Sequence, residues 1–348
     1  MPDATVDFSA RAANVFFHVL TRCNLRCRYC YINPAAHGRR RLPAERIERW
    51  LAVLAERSPG ANLVLLGGEP TLHPDLPRVV RAARRLGYAS VTIDTNGYLF
   101  HDILEALEPG EVDAFSFSLD GAAPETNDRL RGKGSWATCL EGIRKARARG
   151  FAASLIFTVS TANAGELDAL GPLLEKLGVA RLFLQVLGLR GRAAAAAPRG
   201  GAGLRLSPEQ WRARVPAAAA AIAARGIRVV APQVFLDPGE PFVCAGRTAD
   251  NHFVFPNGRV YRCPLGADYP IHSLVFRQDR LEERPSLNER DLFALEIPEG
   301  CVMNRLVQPD TLRYTPEGTP AYRIGCCLIK KEIPPPAERG EGGTPWSR

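Results

Sequence analysis

From residue 15 to about 187, short apolar runs alternate with stretches whose apolar residues recur every three or four positions. The first pattern belongs to strands buried on both faces, the second to helices with one face on a core. Strands are predicted at residues 15–20, 62–66, 89–93, 114–119, 153–159 and 181–187, and helices at 43–57, 74–86, 99–107, 135–149 and 165–177. Several helices begin at Pro or Ser and stop at Gly, as at Gly87, Gly150 and Gly178. This alternation packs helices on a parallel sheet, so the fold class is α/β: a barrel or open parallel sheet with its chemistry beyond the carboxyl ends of the strands.

The pattern changes along the 348 residues, more than one domain usually holds. Residues 190–203, with a run of five alanines at 193–197, are expected to form a flexible surface connection. Residues 207–225 predict a further helix despite Pro216, with Ser207 as its cap and Pro208 in its first turn. From 227 to 333 Cys, Pro and turn residues dominate, as in a small domain organised by metal. The reading is therefore a lead-in at 1–14, a main domain at 15–226, a cysteine-rich domain at 227–333 and a disordered tail at 334–348.

Composition narrows the class. Hydrophobic residues make up 46% and charged ones 24%, the proportions of a globular protein. No apolar run is long enough to span a bilayer, and Asp3, Asp7 and Arg11 stand where a signal peptide needs apolar residues, so a cytoplasmic protein is expected. Nine cysteines then read as metal ligands and free thiols more readily than as disulfides. The net charge of +8 suits an acidic protein partner; its arginines are scattered and no aromatic-interleaved strip accompanies them, which disfavours nucleic acid.

The chemistry centres on Cys23, Cys27 and Cys30, spaced C-x3-C-x2-C directly after the first strand. Three thiolates can hold three corners of an iron-sulfur cube and leave one iron open. A zinc site with His37 as fourth ligand is the alternative. Gly67-Gly68-Glu69-Pro70 ends the second strand; its glycines permit close backbone approach, and Glu69 can accept from an ammonium group. Thr95-Asn96-Gly97 follows the third strand, and Ser118-Leu119-Asp120-Gly121 ends the fourth, on the same rim.

This ordered set resembles the radical S-adenosylmethionine (SAM) enzymes. The resemblance implies a partial (β/α)6 TIM-type barrel in which SAM chelates the open iron of a 4Fe-4S cluster held by Cys23, Cys27 and Cys30. It implies that Gly67, Gly68 and Glu69 hold the SAM amino group, that Tyr29 packs by the adenine, and that Asn96, Ser118 and Asn163 also contact the cofactor, with a helix N-terminal cap as the alternative role of Asn163. Arg131 would pair the SAM carboxylate, with Arg129 as the competing choice because the segment around Asn127-Asp128 departs from the usual pattern. His18 shares an inward strand face with Phe16 and Leu20; a hydrogen-bonded barrel histidine and a catalytic base are both open. Cys139, among helical neighbours, reads as a structural thiol, and His73 as a turn residue.

A second cysteine set lies in the C-terminal part. Cys244 and Cys263 form C-x13-G-x4-C, with a Pro256-Asn257-Gly258 hairpin signal between them; Cys301 and the adjacent Cys326 and Cys327 follow. This resembles the SPASM and twitch auxiliary-cluster domains and implies a second 4Fe-4S cluster, with zinc as the alternative. One of Cys326 and Cys327 is left over, either as a structural thiol or as a hydrogen-atom donor beside the radical site. The expected function is reductive cleavage of SAM to a 5′-deoxyadenosyl radical that takes hydrogen from a ribosomally made peptide. About fourteen residues precede the barrel, so a separate leader-binding protein is expected, with a flavodoxin- or ferredoxin-type electron donor. A small-molecule dehydrogenase acting on an aminocyclitol-like substrate, and a non-catalytic electron carrier, are the alternatives.

Overall fold

The computed structural model describes residues 5–38, 41–196 and 203–338. Its first seven strands are β1 (Ala13–Leu20), β2 (Asn62–Gly67), β3 (Ser90–Thr95), β4 (Ala114–Ser118), β5 (Ala153–Val159), β6 (Arg181–Val186) and β7 (Arg228–Pro232). They pair in sequence order and all in parallel. Helices follow most of them because the connecting segments carry one apolar face. Ala44–Arg57, for example, buries Ile47, Trp50, Leu51 and Leu54. The result is the expected α/β partial barrel.

The remaining strands are β8 (Phe235–Leu236), β9 (Asp250–Val254), β10 (Arg259–Tyr261), β11 (Leu274–Arg277), β12 (Arg280–Glu283), β13 (Arg323–Ile324) and β14 (Lys330–Ile333). They do not form a detached sheet. β9 runs parallel to β1, with Phe16 opposite Phe253 and the two rings stacked at 4.4 Å. β10, β11 and β12 continue antiparallel beyond it, while β14 adds antiparallel to β7 at the other edge. Among the described residues twelve strands therefore share one sheet across residue 226, and only β8 and β13 pair apart.

Several local expectations change. Residues 99–107 hold only a short helix, Ile103–Ala106, because Leu99, His101 and Asp102 take positive φ values of 50°, 58° and 48° that no helix admits. A helix at Pro124–Arg131, absent from the periodicity reading, carries Arg131 in its last turn. The predicted helix over 207–225 forms as Pro208–Ala224, with Ser207 and Gln210 reciprocally capping its start. The expected flexible connection is anchored in its first half: Arg192–Ala196 is helical, Gly191 N–H donates to Asp268, and Arg192 N–H donates to the Cys30 carbonyl. The rest of that connection, 197–202, and the tail from 339 lie outside the described residues. Among the described residues no helix is long and apolar enough to cross a membrane.

Candidate active site

The loop after β1 is clamped at its base by the end of β2. Gly68 and Glu69 N–H groups donate to the Leu20 and Arg22 carbonyls, each at 3.0 Å. A Cβ on Gly68 would stand 2.1 Å from the Arg22 carbonyl oxygen, and one on Gly67 would stand 2.2 Å from that of Leu20. The two glycines thus serve backbone-to-backbone contact between strand ends. Further along, Arg28 N–H donates to the Leu130 carbonyl, and Arg192 also donates to the Cys27 carbonyl at 3.1 Å.

On this frame Cys23, Cys27 and Cys30 are free and half-buried, and all three line one cavity of about 300 Å³. Asn96 Nδ2 donates to Asn24 Oδ1 at 2.8 Å and approaches Cys23 Sγ at 3.8 Å; the backbone N–H of Leu25 points at the same sulfur at 3.4 Å. Cys27 Sγ lies 3.8 Å from the Arg131 carbonyl. Burial pushes the Cys23 thiol up to about 11, the cost of a thiolate without a cation. Among the described residues no three His, Cys, Asp or Glu side chains gather closely enough to share a single metal ion. His37, the conceivable zinc ligand, is fully employed elsewhere: Nδ1 accepts from Asn33 N–H, Nε2 donates to the Ala267 carbonyl, and the ring stacks on Phe255 at 4.1 Å. Three thiols on one cavity wall are a donor set that fits an iron-sulfur cluster.

Glu69, Asn96, Ser118 and Arg131 line the same cavity, as do Tyr29, Gly67 and Gly68. Glu69 is buried. Its Oε1 accepts from Thr71 N–H, Thr71 Oγ1 and Thr95 Oγ1, while Oε2 accepts only from Asn96 N–H at 2.8 Å and retains accepting capacity. Burial raises its pKa above the ordinary carboxylate value in spite of these donors. Arg131 reaches the cavity and forms a 2.5 Å ion pair with Asp120, whose other oxygen accepts from Thr158 N–H. Arg129 instead lies on the surface and contacts the Ala162 carbonyl. Of the two arginines, Arg131 is the one at the site.

For Asn163 and His18 the structure favours the structural alternative. Asn163 does not line the cavity: its Oδ1 accepts from Ser160 N–H and Oγ, and its Nδ2 donates to the Asp120 and Thr158 carbonyls, so its amide is spent on locking the turn after β5. His18 is not free to act as a base. Nδ1 donates to the Val254 carbonyl at 2.8 Å, Nε2 accepts from Tyr31 OH at 2.9 Å, and burial lowers its pKa to about 3. Cys139 is buried against the Ser118 carbonyl, and His73 bridges the Leu42 carbonyl and Asp75 N–H, as read from sequence.

The hairpin of β9 and β10 brings Cys244 and Cys263 toward Cys301, which precedes the helix Val302–Val307, and toward Cys326 and Cys327 after β13. Cys263 feels Cys327, Cys301 and Cys326 electrostatically, and Cys301 feels Cys326, Cys327 and Cys244. Cys301 and Cys327 also face the cavity that holds the first three thiols. Sequence reasoning missed four charged residues of that cavity: Asp94, Arg190, Arg205 and Lys330. Only Asp94 left a signal, a carboxylate set in the apolar run of β3.

Comparison with known proteins agrees with this site. The Radical SAM superfamily matches residues 18–170. Fe-coproporphyrin III synthase of Methanosarcina barkeri is 32% identical over 197 residues, covering 55% of this chain and 48% of that protein. A probable GTP 3′,8-cyclase of Saccharolobus solfataricus is 32% identical over 164 residues, covering 47% and 53%. The chain thus spans about half the length of the curated relatives it matches. Streptococcus suis SuiB, solved with S-adenosylmethionine and with precursor peptide SuiA, shares the fold at a TM-score of 0.59 and 16% identity, covering 74% of this chain and about 60% of that one. With its thiol triplet, its Gly-Gly-Glu strand end and this match, the segment 18–170 is a radical SAM domain.

Proposed function

We propose that this chain is a radical SAM enzyme with an auxiliary cluster of the SPASM or twitch kind, acting on a ribosomally made peptide. One observation carries the reading: three thiols, Glu69 and Arg131 converge on a single cavity that also reaches Cys301 and Cys327. When bound, a reduced 4Fe-4S cluster and SAM supply an electron and a 5′-deoxyadenosyl group able to take hydrogen from substrate. Cys23, Cys27 and Cys30 would hold that cluster, and Cys244, Cys263, Cys301 and one of Cys326 and Cys327 the second.

The chain's own residues then have distinct tasks. Oε2 of Glu69 accepts from the SAM ammonium, and Arg131, already oriented by Asp120, donates to the carboxylate. Tyr29 and Ser118 line the remaining wall, and the apolar surfaces of Phe16, Phe253 and Phe255 exclude water from the reacting region. A flavodoxin- or ferredoxin-type donor, steered by the +8 net charge, would deliver electrons.

The peptide assignment is supported by the fold shared with SuiB, which has been seen with a precursor peptide. The named activities of the sequence relatives, synthesis of Fe-coproporphyrin III and cyclisation of GTP, favour a small-molecule substrate as the second reading. Anaerobic reconstitution, iron counting and a SAM-cleavage assay test the class. The reading requires reductant-dependent 5′-deoxyadenosine, and SAM binding weakened by about 1.5 to 3 kcal/mol in Glu69→Gln, the range for a hydrogen bond to a charged group. A loaded protein that never cleaves SAM would overturn it.

A further inference from the structure

Beside Cys327 the cavity is lined by three cations, Arg190, Arg205 and Lys330, that the SAM-binding residues do not account for. Arg190 Nη1 donates to the Pro264 carbonyl and its guanidinium covers the Tyr31 ring, but its Nε is buried without a hydrogen-bond partner among the described residues. The same holds for Nη1 of Arg205, on the segment pinned where Thr161 N–H donates to the Leu204 carbonyl. Lys330 stands in β14 with its ammonium 3.9 Å from the centre of the Phe8 ring. All three line the cavity wall that also carries Cys327.

The carboxylates on the same wall do not balance them. Glu69 is committed to Thr71, Thr95, Asn96 and, in the proposed reading, the SAM ammonium, and Asp94, which Lys330 faces, offsets one charge of the three. A buried N–H without an acceptor, as at Arg190 Nε and Arg205 Nη1, is costly, and a planar guanidinium fits a two-oxygen anion best. The same cavity presents Phe8, Phe16, Phe253 and Phe255.

We propose that this part of the cavity is an oxyanion subsite, in which Arg190, Arg205 and Lys330 receive a carboxylate or phosphate of the substrate while its apolar body packs on the phenylalanines. The inference rests on the radical SAM reading and narrows its substrate to one bearing an anionic group.

The test uses reconstituted, SAM-bound protein and three probes of one chain length, hexanoate, hexyl phosphate and hexan-1-ol, followed by calorimetry. Wild type should prefer at least one anion over the alcohol by about tenfold or more, the effect of one charge-assisted hydrogen bond. Hexanoate binding tighter identifies a carboxylate; hexyl phosphate binding tighter identifies a phosphate. Arg205→Met and Lys330→Met should each remove most of that preference with iron content and SAM affinity unchanged, and Arg205→Lys should restore part of it. Equal binding of alcohol and anions by wild type overturns the proposal without any variant. So do variants that lose iron yet keep the anion preference, which would assign these cations to the C-terminal cluster. Failure of SAM cleavage, by contrast, strikes the radical SAM reading and leaves the probe result standing.

Discussion

Arg131 and Asp120 form a buried ion pair across 2.5 Å, between the end of the helix Pro124–Arg131 and the loop after β4. An arginine expected to meet the cofactor's carboxylate is therefore held first by a protein carboxylate. Removing one member of such a pair strands the other's charge away from water. Arg131→Ala is expected to destabilise the fold by about 3 to 5 kcal/mol, whereas Arg131→Met with Asp120→Asn should recover more than half of that loss. Urea unfolding of the three proteins checks both statements; equal loss in the single and double variants would dissolve the pairing argument.

Gly68→Ala tests the clamp beneath the thiol loop. The added methyl would sit 2.1 Å from the Arg22 carbonyl oxygen, so the loop or the end of β2 must move. Iron held by Cys23, Cys27 and Cys30 should fall by about half or more while the C-terminal site keeps its own, since distorted ligands lose affinity steeply. Iron analysis in the background lacking Cys244 and Cys263 isolates the effect.

The two cysteine sets should load independently. Full reconstitution predicts about eight irons and no stoichiometric zinc, two cubes of four. Replacing Cys23, Cys27 and Cys30 together by Ala should abolish SAM cleavage and leave about four irons, and Cys244→Ala with Cys263→Ala should also leave about four but spare uncoupled SAM cleavage. Comparing Cys326→Ala with Cys327→Ala then names the ligand: its loss removes iron, and loss of its neighbour does not.

Acid should destabilise the protein through its buried histidines. Burial lowers His18 to about 3, where Tyr31, His37 and Arg190 also face it, and lowers His252 to about 4 beside Asp250 and Arg262. The unfolded chain takes up these protons near pH 6.5 and the folded one only near 3 to 4, so the unfolded state binds more protons in between and stability falls as pH falls through that window. Going from pH 7 to pH 5 should cost about 1 to 2 kcal/mol for each of the two. Denaturant unfolding at both values decides; a pH-independent midpoint in this range would contradict their burial.

The barrel was legible because period and punctuation agreed along residues 15–187, and the thiol loop and Gly-Gly-Glu end because their chemistry is local in sequence. Reading failed where long-range contacts decide. The helix predicted over 99–107 gives way to the left-handed backbone of Leu99, His101 and Asp102, and Asn163 is claimed by the neighbouring turn. Arg190, Arg205 and Lys330 come to line one cavity only when β14 returns to the edge of β7, which no window of sequence displays.

The placement of β9 beside β1 bears on how the chain is made. Once β1 has left the ribosome it finds one partner in β2 within about fifty residues, but its other edge waits for residues 250–254. Until they emerge, Phe16 lacks the ring it will stack on, and a row of strand amides stays unpaired. Translation that stalls before residue 250 leaves a sticky edge on β1, and that half-made sheet is where chaperones would be needed.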